Sequence, residues 1–285
     1  MTVQTSGFVV STPGLNLART LRCGQAFRWT WRDGVAEGVV GWCVWRLRSA
    51  AGRVQASVVA GAGSAQKLRR YLLGWGSLKP LEAVLAQDRV LARLLPRTRG
   101  ISILSQDPWE VLATFLISQN NNIPKIVRSV AYLCAVLGEP VGSPPVAWAF
   151  PSPGRLAEAP EAVLWTAGVG YRAGYLRNAA RRVADGQLDL ERLRRLPTPE
   201  ARGALLELPG VGDKVADCVL LFGLGHRAVF PVDVWVKRAT EELYFQGCRK
   251  TPAAIRAWAL NHFGDLAGLA QQHLYYYARR YLRVS

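Results

Sequence analysis

The stretch Leu208-Pro209-Gly210-Val211-Gly212-Asp213-Lys214 decides the fold, and the aspartate of Pro231-Val232-Asp233 follows nineteen residues after its lysine (233 − 214). Before it, Pro199 to Glu207 reads as a short helix. After it, Val215, Ala216, Val219, Leu220 and Phe222 set an apolar stripe at helical spacing. Gly210 and Gly212 permit a tight turn with positive φ, and such turns aim successive backbone N–H groups outward. A nest opening onto a helix N-terminus is a ready phosphate site, so Gly210, Val211 and Gly212 are the candidate phosphate-binding hairpin. Glycines alone would sooner make an ordinary corner between helices. The lysine and the delayed aspartate add the chemistry.

Lys214 opens the second helix, where the macrodipole favours anions, so a lysine is oddly placed for stability. That same positive end, with partial burial, is expected to lower its pKa from about 10.4 and supply neutral amine. A neutral amine can attack a sugar carbon and form a Schiff base; contact with phosphate is the other use of a lysine here. Asp233 precedes the helical run Val234-Trp-Val-Lys-Arg-Ala. As a plain N-cap it is worth about 1 kcal/mol. A capping carboxylate is also held rigidly enough to stabilise positive charge on a deoxyribose ring, and the two roles are compatible.

The composition points to the partner. Lys and Arg number 36 against 20 Asp and Glu in 285 residues, a formal charge of +16 with half of the residues hydrophobic. A folded chain this basic is expected to meet a polyanion, nucleic acid first, because +16 exceeds what solubility asks. No apolar run is long enough for a membrane span, and Met1 to Val10 lacks a signal-peptide pattern, so a cytoplasmic protein, nucleoid-associated through DNA, is expected. Cys23, Cys43, Cys134, Cys218 and Cys248 are scattered, with no C-x-x-C or Cys/His cluster. This spacing disfavours zinc and iron–sulfur sites, and no metal is assigned.

Along the chain, residues 8 to about 60 are rich in β-formers. Phe27 to Trp31, Val35 to Val40, Trp42 to Leu47 and Val54 to Val59 read as strands, with a hairpin turn at Arg32-Asp33-Gly34. A helix is expected from Ser64 to Gly74, with Lys67, Arg69 and Arg70 on its solvated side. At Asp107-Pro108-Trp109-Glu110 the pattern changes: an N-cap acid, proline at the first helical position and glutamate three after the cap. Helices are predicted over 108–119, 124–137, 171–185, 199–207, 213–223, 234–244, 252–263 and 265–283, with a Pro/Gly-rich loop from Gly138 to Pro153. The class is α+β: an antiparallel β-rich domain over residues 1–100, then a helical domain over 105–285 with the helix-hairpin-helix at about 199–223.

Four segments in series carry a resemblance. Cys23-Gly24-Gln25-Ala26-Phe27-Arg28-Trp29, Ser118-Gln119-Asn120-Asn121-Asn122-Ile123, Gly168-Val169-Gly170-Tyr171-Arg172 and the hairpin through Asp233 together resemble the 8-oxoguanine DNA glycosylase branch of the helix-hairpin-helix glycosylases. Their order and approximate spacing match over nearly the whole chain. The resemblance implies a TATA-binding-protein-like β domain, excision of 8-oxoguanine from double-stranded DNA and a weaker strand-nicking lyase activity. Such an enzyme is expected to need no organic cofactor and no catalytic metal, and the chain is expected to act as a monomer. Many relatives resembling endonuclease III carry a four-cysteine cluster loop, and this chain has none.

Position by position, the resemblance makes Lys214 the nucleophile and Asp233 the catalytic carboxylate. Gly24 matches the residue whose carbonyl detects the N7 hydrogen of 8-oxoguanine; guanine N7 is an acceptor and would face that carbonyl lone pair to lone pair. Within Ala270-Gln271-Gln272-His273-Leu274-Tyr275, Gln271 would read the pairing edge and Tyr275 stack on the base. Cys218 would lie against the other face, with Phe222 beside it. Asn120 matches the residue that fills the gap in the duplex, Tyr171 the wedge, and Lys125 and Arg172 the readers of the opposite base. Lys125 departs from the family's usual arginine, Trp235 from its histidine and Tyr275 from its frequent phenylalanine. Two rival readings stay open: a glycosylase for another damaged base, and a non-catalytic helix-hairpin-helix DNA-binding module.

Overall fold

The computed structural model describes residues 7–282. Residues 1–6 and 283–285, which the expected domain spans include, lie outside the described residues.

The N-terminal part is one antiparallel sheet. Strands β1 (Gly7–Ser11), β2 (Trp29–Arg32), β3 (Val35–Val40), β4 (Cys43–Ala50) and β5 (Arg53–Gly61) stand in the order β1-β5-β4-β3-β2. Asp33 and Gly34, with φ of 49° and 75°, make the expected β2–β3 turn. Val54, Ala56 and Val58 alternate onto the buried face with Trp45 and Leu47. Two helices cover that face: α1 (Leu17–Leu21), which the sequence reading did not anticipate, and α2 (Ala65–Leu72), capped by Ser64.

The first hundred residues are less β-rich than expected, because α3 (Leu78–Leu85) and α4 (Arg89–Thr98) follow α2. Leu85, Leu91 and Leu94 pack into the core of the helical bundle and not against the sheet. Around the bundle run α5 (Pro108–Ile117), α6 (Ile123–Leu137), α7 (Pro153–Ala157), α8 (Glu161–Thr166), α9 (Arg172–Ala184) and α10 (Leu190–Leu193). They are followed by α11 (Thr198–Leu206), α12 (Asp213–Val219), α13 (Val234–Tyr244), α14 (Pro252–Phe263) and α15 (Ala267–Tyr281). The Gly138–Pro153 loop holds a small hairpin, β6 (Pro140–Val141) with β7 (Ala147–Trp148).

Helix α5 is apolar all round and lies at the centre, all of its residues but Glu110 being buried. Helix α12 was expected to run to residue 223. Instead it widens into a π turn at Leu220–Leu224, where Gly223 lies against Pro108 and Val111 of α5; a Cβ there would come within 3.1 Å of Pro108 Cα. Such turns re-aim side chains, here Phe222 onto Phe115.

Candidate active site

The hairpin folds as its residues require. Gly210 turns with φ of 83°, and Gly212 caps α12 without a side chain, so the first amides of that helix stay uncovered. The Tyr175 ring lies against Gly210 where a Cβ would stand. Gly210→Ala should therefore weaken the hairpin by about 1–2 kcal/mol from left-handed strain alone, and further through the collision with Tyr175. Thermal melting and affinity for duplex DNA should both fall; an unchanged melt would remove the turn from the account.

Arg202 of α11 pins α12 by reaching Asp213 at 2.5 Å and Asp217 at 3.0 Å, while Arg256 of α14 reaches the other oxygen of Asp217 at 3.0 Å. Lys214 is thereby fixed on the first turn. Its Nζ donates to Ser118 Oγ at 3.2 Å and sits 4.9 Å from the Phe115 ring centroid. Ser118 in turn donates to the Phe115 carbonyl at 2.8 Å, so its oxygen is aimed at the lysine.

Asp233 is the N-cap of α13. Its Oδ1 accepts from the amides of Trp235 at 3.0 Å and Val236 at 2.8 Å, leaving Oδ2 outside the cap, and the residue lines the cavity. Burial pushes the carboxyl above its ordinary range, against the opposing pull of the Val236 amide, the Lys214 charge and the Trp235 amide. The cap and the cavity-lining carboxylate are one residue.

Lys214, Asp233, Gly24, Gln271, Tyr275 and Cys218 line a single cavity of about 740 Å³. Gly24 turns with φ of 78°, and a Cβ there would lie 2.8 Å from Tyr275 Oη. Its segment is riveted by Gln25, whose buried amide donates to the carbonyls of Thr20 and Ser102 and accepts from Leu104 N. Gln271 Nε2 donates to the Pro231 carbonyl at 3.1 Å, which leaves its buried Oε1 without a partner. Burial pushes the Cys218 thiol up to about 12, so it presents a neutral, polarisable wall. Phe222 stacks on Phe115 at 5.5 Å and 17° beneath the same cavity.

The segments matched to duplex reading lie together beside the cavity. Asn120 takes φ of 44°, a conformation asparagine tolerates, and its Nδ2 donates to Tyr171 Oη at 3.1 Å. Tyr171 is 57% exposed and packs edge-on against Tyr175, which joins it to the hairpin turn. Lys125 is exposed on the first turn of α6, its stem beside Gly168.

Arg172 is placed differently from the expectation that it reads the opposite base. It is 6% exposed, and its guanidinium donates to the carbonyls of Gln119, Asn120 and Val169. It braces the turn that presents Asn120, because three carbonyls pointing inward need a fork of donors.

Among the lining residues to which the sequence reading assigned no role are Phe115, Ser118 and Arg279. The position of Ser118 at the end of an apolar helix was a weak signal. Arg279 stands four residues after Tyr275, one helical turn further along the same face.

The fold and the site define a helix-hairpin-helix enzyme with an amine at the exit of its hairpin. A family model described as 8-oxoguanine DNA glycosylase, N-terminal domain, matches residues 8–112, and one described as HhH-GPD superfamily base excision DNA repair protein matches residues 113–261. The N-glycosylase/DNA lyase OGG1 of Arabidopsis thaliana is 32% identical over 281 residues, covering 92% of this chain and 76% of the relative. A solved structure of MBOgg1 in complex with a low affinity DNA ligand superposes with a TM-score of 0.90 at 32% identity, covering 98% of this chain and 99% of that one. The Clostridium acetobutylicum 8-oxoguanine glycosylase/lyase, in complex with double-stranded DNA containing cytosine opposite 8-oxoG, superposes with a TM-score of 0.89 at 30% identity, covering 97% and 98%. The chain belongs to the N-glycosylase/DNA lyase family of the HhH-GPD base excision repair superfamily. No helix among the described residues is long and apolar enough to cross a membrane.

Proposed function

We propose that this chain removes 8-oxoguanine from duplex DNA through Lys214 and then nicks the strand. The observation that carries this is the meeting of Lys214, Asp233, Gly24 and Gln271, whose Oε1 has no partner, on one cavity. The amine nitrogen bonds to C1′ as the C1′–N9 bond breaks and the base departs with that electron pair. Opening of the C1′–O4′ bond, with the amine proton passing to O4′, then yields the Schiff base, and loss of a C2′ proton expels the 3′ phosphate. Asp233 carries negative charge beside the ring as positive charge develops there.

Base choice follows from donors and acceptors. The Pro231 carbonyl can only accept, so Gln271 must turn its amide nitrogen to Pro231, which leaves Oε1 as the free acceptor of this cavity-lining residue. An acceptor there suits N1–H and the 2-amino group of an oxidised guanine and opposes N1 of adenine. The Gly24 carbonyl accepts the N7 hydrogen that guanine lacks. A free-base release assay over a panel of lesion duplexes tests the reading: 8-oxoguanine should be released fastest, and preferential release of an alkylated base would replace it.

Opposite the lesion, Asn120 fills the gap, Arg172 braces its turn and Lys125 is the exposed cation beside it. A lysine is a flexible point charge and specifies cytosine less well than a planar fork. Lys125→Arg should therefore raise the ratio of excision opposite cytosine to excision opposite adenine by about tenfold, the worth of one good donor–acceptor set. An unchanged ratio would take Lys125 out of the reader.

A further inference from the structure

Helix α15 carries Gln271, Tyr275 and Arg279 at four-residue spacing, so all three lie on one face, and all three line the cavity. They form a gradient of depth: Gln271 is buried, Tyr275 half-buried and Arg279 exposed at the rim. A nucleotide whose base reaches Gln271 and whose ring lies along Tyr275 must leave its phosphates at that rim, because an unpaired phosphate cannot be buried.

The Arg279 guanidinium sits over the Tyr275 ring, 5.6 Å from its centroid, and Nη1 donates to Tyr275 Oη at 3.2 Å. Among the described residues this is its one hydrogen bond, so Nε and Nη2 keep an open edge of the planar fork that suits a phosphate. The other lining cations are occupied. Lys214 is held by Ser118 at the reacting end, and Lys237 is paired with Glu241 at 2.5 Å. Trp235 contributes a wall without charge.

We propose that Arg279 grips a phosphate flanking the extruded nucleotide, with the Tyr275 hydroxyl holding the guanidinium in place. This rests on the reading that a nucleotide enters the cavity. A cation in the last turn of α15 also complements the helix dipole, but that need is met equally by Arg280, which stacks on Tyr276 at 4.8 Å and does not line the cavity. Arg280 is therefore the control for a merely structural role.

The test uses the full chain and duplexes carrying a tetrahydrofuran abasic analogue, with either flanking phosphodiester replaced by a neutral methylphosphonate. Wild type should lose about tenfold in affinity when one of the two linkages is neutralised, as expected for one charge-assisted contact. Arg279→Gln should bind the all-phosphate duplex about tenfold more weakly and lose nothing further from that neutral linkage. Arg280→Gln should behave as wild type, and Arg279→Gln should melt as wild type does. The proposal is overturned if neutral linkages leave wild type unaffected, if Arg279→Gln still loses its tenfold, or if Arg280→Gln reproduces its defect. Because the analogue carries no base, failure to release 8-oxoguanine in a parallel assay would overturn the substrate reading while the phosphate coupling still upheld Arg279.

Discussion

Lys214→Gln should yield no covalent adduct when borohydride is added to the enzyme on a duplex carrying one 8-oxoguanine, where wild type gives a stable secondary amine. The amine is the group that bonds to C1′, and a carboxamide nitrogen has no available lone pair for that step. Excision should fall by roughly four orders of magnitude, since removing a nucleophile disables the whole constellation. Binding should survive, because the turn at Gly210 and Gly212 and the basic face remain. Glutamine can also keep a donor toward Ser118 Oγ, the partner of Lys214 Nζ at 3.2 Å. Undiminished trapping by the variant would assign the nucleophile to another residue.

Asp233→Asn should separate the two jobs of that residue. Asparagine caps a helix about as well as aspartate, so the hydrogen bonds to the amides of Trp235 and Val236 persist. The charge is lost, and single-turnover excision should fall by about 10²–10³, the usual cost of removing an aligned electrostatic partner. Stability should move the other way. Burial raises the folded-state pKa of Asp233, so the ionised form costs folding free energy at pH values above that pKa, and the neutral asparagine removes the cost. The variant should melt at or above the wild-type temperature at neutral pH.

The same shift sets the acid limb of the rate profile. As pH falls, wild-type excision should decline at a higher pH than an ordinary aspartate near 3.9 would give, and that limb should vanish in Asp233→Asn. Excision by the variant at the wild-type rate would reduce Asp233 to a cap.

What the sequence determined by itself is what neighbours along the chain decide. Strand alternation, the Asp33-Gly34 turn, the caps at Ser64, Asp107 and Asp233 and the Gly210 hairpin all depend on a few adjacent residues, and all stand in the structure. The short α7, α8 and α10 were not anticipated, but helices α5, α6, α9 and α11 to α15 were legible for that reason. So were Lys214 and Asp233, because each is tied to a helix start that its own neighbours specify. Tertiary structure alone decided the remainder. The bond between Lys214 and Ser118 joins residues 96 positions apart, and no local pattern encodes it. Arg172 is matched in sequence to a reader of the opposite base, yet the inward carbonyls of Gln119, Asn120 and Val169 draw it under cover. Helices α3 and α4 joined the bundle because its core had apolar surface left to bury, which no propensity within residues 78–98 could announce. The depth of Gln271, Tyr275 and Arg279 along one helix face was likewise set by what packs around α15, since spacing fixes a shared face but not which end of it meets the solvent.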